Sequence, residues 1–360
     1  WEQRELKEIL KVNSGRDYKH LGSGSIPVYG TGGYMLSVND KLSDKDAIGI
    51  GRKGTIDKPQ YLKAPFWTVD TLFFMIPLNN FDLQFLYTMT QKINWKKMDE
   101  STGVPSLSKA VIEKVNQNIP SYQEQIKIGG FFKQLDNTIA LHQQKQRQIR
   151  SLKQGFIKNL FPNNKNSAPR IRFSIFNDDW NQRNASEIFT SVSDKNYPEL
   201  PVLSASQEKG MVLRESNGID IKYDQKSTGT YKRVLPGQFV MHLRSFQGGF
   251  AYSTIEGITS PAYTILAFRN KEDHYPLFWK SIFSSKNFIK RLEAITYGIR
   301  DGRSISYADF STLRFWIPSY EEQKQIGDFI ESIDATIAFY QRQIDMMQSL
   351  KKELLNKMFI

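Results

Sequence analysis

The chain has 360 residues, with 49 lysines and arginines against 37 aspartates and glutamates and a formal net charge of +12. That length exceeds what one hydrophobic core usually organises, so two or more compact units are expected, and the positive balance draws the chain towards polyanions, nucleic acid first. The absence of cysteine excludes disulfides, cysteine-ligated zinc, iron–sulfur clusters and a thiol nucleophile; with no apolar run near the ~18 residues of a membrane span and no signal peptide, a cytoplasmic protein without a membrane partner is expected.

The chain opens on WEQRELKEIL at Trp1, a stretch that returns loosely as WNQRNASEIF at Trp180. Upstream of Trp180 stands RIRFSIFNDD, which has no equivalent before Trp1, so the natural start is expected to lie further upstream. Next come Tyr29 and Thr31 in VYGTGGY, candidate DNA contacts by residue type and loop position. The strand-like DAIGIG then leads into Gly49-Ile50-Gly51-Arg52-Lys53-Gly54, whose letters fit the dinucleotide fingerprint G-x-G-x-x-G. That fingerprint needs a helix after the last glycine, because the pyrophosphate sits on the helix amino terminus. Pro59 and Pro65 forbid such a helix, and Asp70 has no strand–helix–strand frame to belong to. What remains is a tight cationic turn carrying Arg52 and Lys53, with Lys58 close behind. Glycine amides can approach a phosphate backbone and arginine can reach a guanine edge; the plainer reading is a solvated β-turn. FWTVDTLFFMI then reads as strand and LQFLYTMTQKI as helix.

From Ile119 the sequence IPSYQEQIKIGGFFKQLDNTIALHQQ reappears at Ile317 as IPSYEEQKQIGDFIESIDATIAFYQR. About 18 of about 44 aligned positions are identical without a gap, which marks a duplicated module. Ser121 with Glu124, and Ser319 with Glu322, have the spacing of a capping box at the start of a helix. Apolar residues then recur at steps of four and three: Ile128, Phe132, Leu135 and Ile139 in the first copy, Ile326, Ile330, Ile333 and Ile337 in the second. This is a coiled-coil stripe, and the stripe led by Ile128 is expected to face the one led by Ile326. His142 and Gln146 interrupt it, as polar residues that set register do. Each helix should run about 40 residues, or about 60 Å. The first holds seven cations and two anions, the second five and seven, which favours pairing one with the other.

FPNNKNSAPR separates the first helix from a second variable part. Here LSASQEKGMVLRE offers Ser204, Ser206 and Arg214, and the strand GQFVMHL leads to His242, Arg244, Ser245 and Gln247, residue types that read base edges. AYTILAF reads as strand and PLFWKSIFSSKNFIKRL as helix. YGIRDGRSIS sets Arg300 and Arg303 on either side of an Asp-Gly turn, whereas the matching DESTGVPSLS has no arginine, so the two parts should recognise different things. The division is then 1–120 and 172–318 as mixed α/β or α+β globular parts, 121–161 and 319–360 as long helices pairing as an antiparallel coiled coil, and 162–171 as linker. No P-loop lysine signature, H-E-x-x-H, G-x-S-x-G or tuned carboxylate pair is found, and four histidines without a cysteine leave little chemistry at neutral pH. A binding protein with no catalytic, cofactor or metal residues is expected.

The P-x-x-E-Q start of each helix, the D-x-T-I within it (Asp136–Ile139, Asp334–Ile337), the S-L-K near its end, and R-F-x-x-F-x-x-x-W at Arg172–Trp180 resemble the conserved regions of the specificity (S) subunits of type I restriction-modification enzymes. The resemblance spans the chain, apart from the lead-in missing before Trp1. It implies that each variable part is a target recognition domain reading half of a bipartite site on double-stranded DNA. The helix pair would act as a ruler between them and as the dock for two methyltransferase (M) subunits, with restriction (R) subunits joining. S-adenosylmethionine, ATP and Mg2+ would be held by those partners and none by this chain. Half-sites on one DNA face lie near a multiple of about 34–36 Å apart, within reach of about 60 Å of helix. Two alternatives are a specificity chain serving a fused restriction-methylation system, and a structural coiled-coil protein whose basic parts bind without sequence preference.

Overall fold

The computed structural model describes residues 1–162, 167–206, 209–217, 225–242, 245, 249–295 and 305–359. Contacts divide the chain into two units, one of Trp1–Lys145 with Tyr340–Ile360 and one of Gln146–Phe339. Each unit takes part of both long helices.

The first unit runs through β1 (Glu2–Glu5), β2 (Leu10–Ser14), β3 (Ser23–Gly30), β4 (Gly33–Val38), β5 (Ala47–Gly51), β6 (Gln60–Leu62), β7 (Trp67–Thr68) and β8 (Leu72–Pro77). It continues with α1 (Leu83–Lys92), α2 (Lys109–Glu113), β9 (Asn116–Ile119) and the start of α3 (Tyr122–Leu160). The strands form a sheet in the order β2-β8-β5-β6, a second in the order β4-β3-β7, and the pair β1-β9. The DAIGIG segment is β5, buried along its whole length between β8 and β6. Alternation sends Ile48 and Ile50 into the core shared with α1 and Ala47 into the cluster of Leu62, Phe66 and Phe74 on the other side. Asp82 caps α1 by accepting from the Phe85 amide at 2.8 Å.

The second unit comprises β10 (Asn181–Asn184), α4 (Ala185–Ile188), β11 (Phe189–Val192), β12 (Leu203–Ser206), β13 (Gly210–Leu213), β14 (Lys232–Val234), β15 (Phe239–Met241), β16 (Ala251–Tyr252), β17 (Gly257–Thr259) and β18 (Thr264–Phe268). Then come α5 (Pro276–Phe283), α6 (Lys286–Ala294), α7 (Tyr307–Ser311), β19 (Arg314–Ile317) and the start of α8 (Tyr320–Met358). Its main sheet has the order β11-β18-β15-β16, beside the pairs β12-β13, β14-β17 and β10-β19. The core is aromatic, with Phe283 at 4.9 Å from Phe239 and 4.8 Å from Phe288. The single helix expected over PLFWKSIFSSKNFIKRL is two, because Ser285 accepts from the Phe288 amide and starts α6 afresh.

The duplication is preserved in register. β1 pairs antiparallel with β9, Glu2 opposite Ile119, and β10 pairs with β19, Asn181 opposite Ile317. These are equivalent positions of the repeat, so each globular part is closed by the same two-stranded clasp before its chain enters a long helix.

The two helices are 39 residues each, about 58 Å at 1.5 Å per residue, and they pair antiparallel within each unit. In the first unit Phe132 meets Phe359, Asp136 meets Lys351 and His142 meets Tyr340. In the second, Gln146 donates to the Ile337 carbonyl, Lys153 meets Asp334 and Phe156 meets Phe329. Antiparallel pairing corrects one expectation: the Ile128 and Ile326 ends of the stripes do not face each other. Ile128 and Phe132 join the first unit's core with Leu354, Leu355 and Phe359. Ile326 and Ile330 join the second unit's core with Phe156, Ile157 and Leu160. Each stripe therefore serves its own globular part at one end while packing on the other helix, and Ile139 and Ile337 are buried further along. Gln146 keeps the polar seam role by capping a carbonyl.

Candidate nucleic-acid interface

Each globular part is tied to its long helix by the P-x-x-E-Q segment, and the geometry gives every letter a task. The serine half of the capping box forms, with Ser121 and Ser319 accepting from the amides of Glu124 and Glu322 at 3.4 Å. The glutamates do more than the box requires. Glu124 accepts from the Trp1 indole at 3.1 Å, and Glu322 accepts from the Trp180 indole at 3.2 Å and from Arg172 through Nε and Nη2 at 2.8 Å each. Glu322 is 1% exposed, so this bidentate pair is a buried, charge-assisted anchor. The glutamines do the rest. Gln125 donates to the Pro120 carbonyl and accepts from the Asp82 amide, while Gln323 donates to the Pro318 and Asp273 carbonyls and accepts from the Tyr275 amide. Asp82 and Tyr275 are the N-caps of α1 and α5. The same glutamine therefore fixes the same helix start in both copies.

On this scaffold the first unit displays its cationic turn. Arg52, Lys53 and Lys58 are exposed. Backbone bonds hold the turn: the Arg52 and Lys53 amides donate to the Thr71 carbonyl at 2.8 and 3.3 Å, and the Gly54 amide to the Pro105 carbonyl at 2.8 Å. Gly54 adopts φ +93°, and a Cβ at Gly51 would lie 2.0 Å from the Thr55 carbonyl oxygen, so the glycines serve the turn. No helix follows before α1, as Pro59 and Pro65 lead one to expect. The Arg52 guanidinium lies 5.9 Å from the Phe73 ring and 3.4 Å from the Asp70 carbonyl. The Thr31 hydroxyl is 3.8 Å from where a Cβ of Gly54 would be, which brings the β3–β4 hairpin beside the turn. Gln60 braces that hairpin by donating to the carbonyls of Gly30 and Thr31. Tyr29 is half-buried on β3, edge-on to Tyr34 at 6.5 Å. Tyr34, 63% exposed beside the exposed Met35, is the residue sequence reasoning missed. Its signal was an aromatic next to Gly32-Gly33 in VYGTGGY, where a hairpin tip leaves a ring uncovered.

In the second unit Ser204 and Ser206 are half-buried on β12, opposite Val212 and Gly210, and the Ser206 hydroxyl accepts from the Lys209 amide. Arg214 follows β13, half-buried, with its amide bonded to the Val202 carbonyl. His242 follows β15, half-buried, 6.1 Å from the Tyr263 ring. Ser245 departs from the expected base-reading role: it is 1% exposed, and its hydroxyl accepts from the His242 amide at 2.8 Å, folding the turn from within. Arg244, Gln247, Arg300 and Arg303 lie outside the described residues. Among the described residues no cluster of three or more potential metal ligands occurs, and no helix is long and apolar enough to cross a membrane.

Two differently decorated β-rich parts are thus mounted on one repeated helix scaffold. Residues 1–151 match the type I restriction modification DNA specificity domain family. The MjaVIII specificity subunit of a type I restriction enzyme from Methanocaldococcus jannaschii is 22% identical over 298 residues, covering 76% of this chain and 68% of its own. Of solved structures, the type I restriction-modification S subunit of M. genitalium aligns over 100% of this chain and 96% of its own, at TM-score 0.69 and 14% identity. A chain from a structure of type I R-M complex assembly aligns over 99% and 97%, at TM-score 0.53 and 15% identity. The family match over residues 1–151 and the M. jannaschii relative are both of type I restriction-modification specificity proteins.

Proposed function

We propose that each globular part reads one half of an asymmetric, gapped DNA site, and that the helix pair fixes the gap and docks methyltransferase subunits. The observation that carries this reading is the repeated clasp and anchor bearing different decoration: Trp1–Glu124 with an exposed Arg52-Lys53 turn in one copy, Trp180–Glu322 with the β12 and β13 strands in the other. A common mount with dissimilar probes suits a target whose halves differ. Support for docking comes from the apolar side chains the helices leave uncovered, Phe131 and Leu141 on α3 and Met346 and Leu350 on α8. Restriction subunits complete the assembly, and S-adenosylmethionine, ATP and Mg2+ belong to the partners. Binding selection on random duplex DNA, with the co-purified subunits present, tests this. A gapped motif with unlike halves is expected; an uninterrupted motif, or no preference, refutes it.

A further inference from the structure

The second unit contains a groove of about 780 Å3 between α3, α6 and β19. Its rims are cationic: Arg150 and Lys158 on α3, Lys286 and Lys290 on α6, and Arg314 on β19. All five are exposed, and among the described residues none of them makes an ion pair. The other cations in the lining are spent, Lys153 on Asp334 and Arg291 against the Phe315 ring and the Arg314 carbonyl. Asp334 is the one acid in the lining, so its charge is already answered. Spacing is favourable, since Lys286 and Lys290 share a face of α6 at i,i+4, and Arg150 and Lys158 stand two such steps apart on α3.

We infer that this groove holds one sugar–phosphate strand of the DNA, an inference that rests on the DNA-reading role proposed above. Three observations favour that occupant. The lining carries positive charge from α3, α6 and β19, which suits a run of phosphates, and the half-buried Ile157 and Trp316 among it offer apolar surface to the sugars. Gly249, which follows the candidate base-reading residues in sequence, also packs beside the groove: a Cβ there would lie 1.9 Å from the Phe283 carbonyl oxygen, next to Ser284 in the groove lining. Lastly, the charge is peculiar to this copy. The repeat positions of Arg150 and Lys158 on α8 are Gln348 and Asn356, and α1 is followed by a 3-10 turn at Trp95–Met98 where α5 is followed by α6. A dock for a partner common to both copies would not be so one-sided.

The test is the salt dependence of binding to a random-sequence duplex and to a duplex bearing the selected motif, using the complex as purified with its subunits. Lys286→Ala/Lys290→Ala and Arg150→Ala/Lys158→Ala should each lower the slope of log K against log salt by about 2, at about 0.9 per lost phosphate contact. Both duplexes should weaken alike, the motif should stay unchanged, and Lys286→Arg/Lys290→Arg should keep the slope. An unchanged slope overturns the inference, as does a change of preferred base. Loss of a co-purifying subunit with DNA binding intact would make the groove a protein dock instead. If the unaltered complex selects no motif, the proposed function fails, while the slope still reports whether phosphate enters the groove.

Discussion

Lys351 Nζ lies 2.7 Å from Asp136 Oδ1. The same two positions of the repeat meet in the second unit, where Lys153 Nζ lies 2.5 Å from Asp334 Oδ1. The D-x-T-I and S-L-K motifs are thus the two halves of one contact, made twice by antiparallel pairing. His142 and Tyr340, which occupy equivalent positions, meet each other with ring centroids 5.4 Å apart.

These ion pairs are partly buried, with side chains 17–34% exposed, so a modest coupling is expected. A double-mutant cycle of Asp136→Asn and Lys351→Met, read by urea unfolding, should give about 1 kcal/mol. Exchanging the charges as Asp136→Lys/Lys351→Asp should recover stability relative to either single reversal. Additive single effects would remove the pair from the forces holding the helices.

Gly129 and Gly327 are equivalent and let α3 and α8 approach the starts of α1 and α5. A Cβ at Gly129 would lie 2.5 Å from Asp82 Oδ1 and 2.6 Å from the Phe85 amide; at Gly327 it would lie 2.8 Å from the Phe278 amide. Alanine at either site should destabilise by about 1–3 kcal/mol. Gly130→Ala, where nothing lies within 4 Å, should stabilise by up to about 1 kcal/mol through helix propensity. Equal effects at neighbouring Gly129 and Gly130 in thermal unfolding would refute the close-approach role.

Removing the buried carboxylate in Glu322→Gln leaves Arg172 without its ion and should cost about 3 kcal/mol. Arg172→Gln in the same chain should recover part of that loss. An unfolding midpoint unmoved by the single change would mean that the anchor does not hold the second unit to its helix.

His274 is 4% exposed, stacks on Phe268 at 5.4 Å, and has no partner for Nδ1 among the described residues. Burial outweighs the nearby Asp273 carboxylate and, with Arg183, drives its pKa from 6.5 down to about 4. The unfolded chain therefore takes up a proton that the folded chain refuses between those values, so stability falls as the pH drops through 6.5 towards 4. The loss reaches about 3 kcal/mol near pH 4. Comparing unfolding midpoints between pH 4.5 and 7 for the natural chain and His274→Phe should show a smaller pH slope in the variant.

Much of this was legible in the chain because duplication writes the same physics twice. The repeat exposed the long helices, and the two prolines after Gly54 showed that no helix follows that turn directly. What periodicity could not show was how one stripe serves two partners: Ile128 and Ile326 lie in stripes that read alike, yet antiparallel pairing sends each to a different core. Glu322 read as half of a capping box because its other partners, Arg172 and Trp180, lie about 140–150 residues away in sequence. Ser245 had the residue type of a base reader, but its burial depends on the turn it closes. Tyr34 was passed over because exposure at a hairpin tip is a tertiary property.

The division of reading between two mounts is tested most directly by replacing residues 172–316 with the corresponding segment of a different specificity subunit and mapping the methylated motif of the assembled complex. We expect one half of the motif to change while the other half and the gap stay as they were. A motif altered in both halves, or in neither, would contradict separate readers on a shared pair of helices.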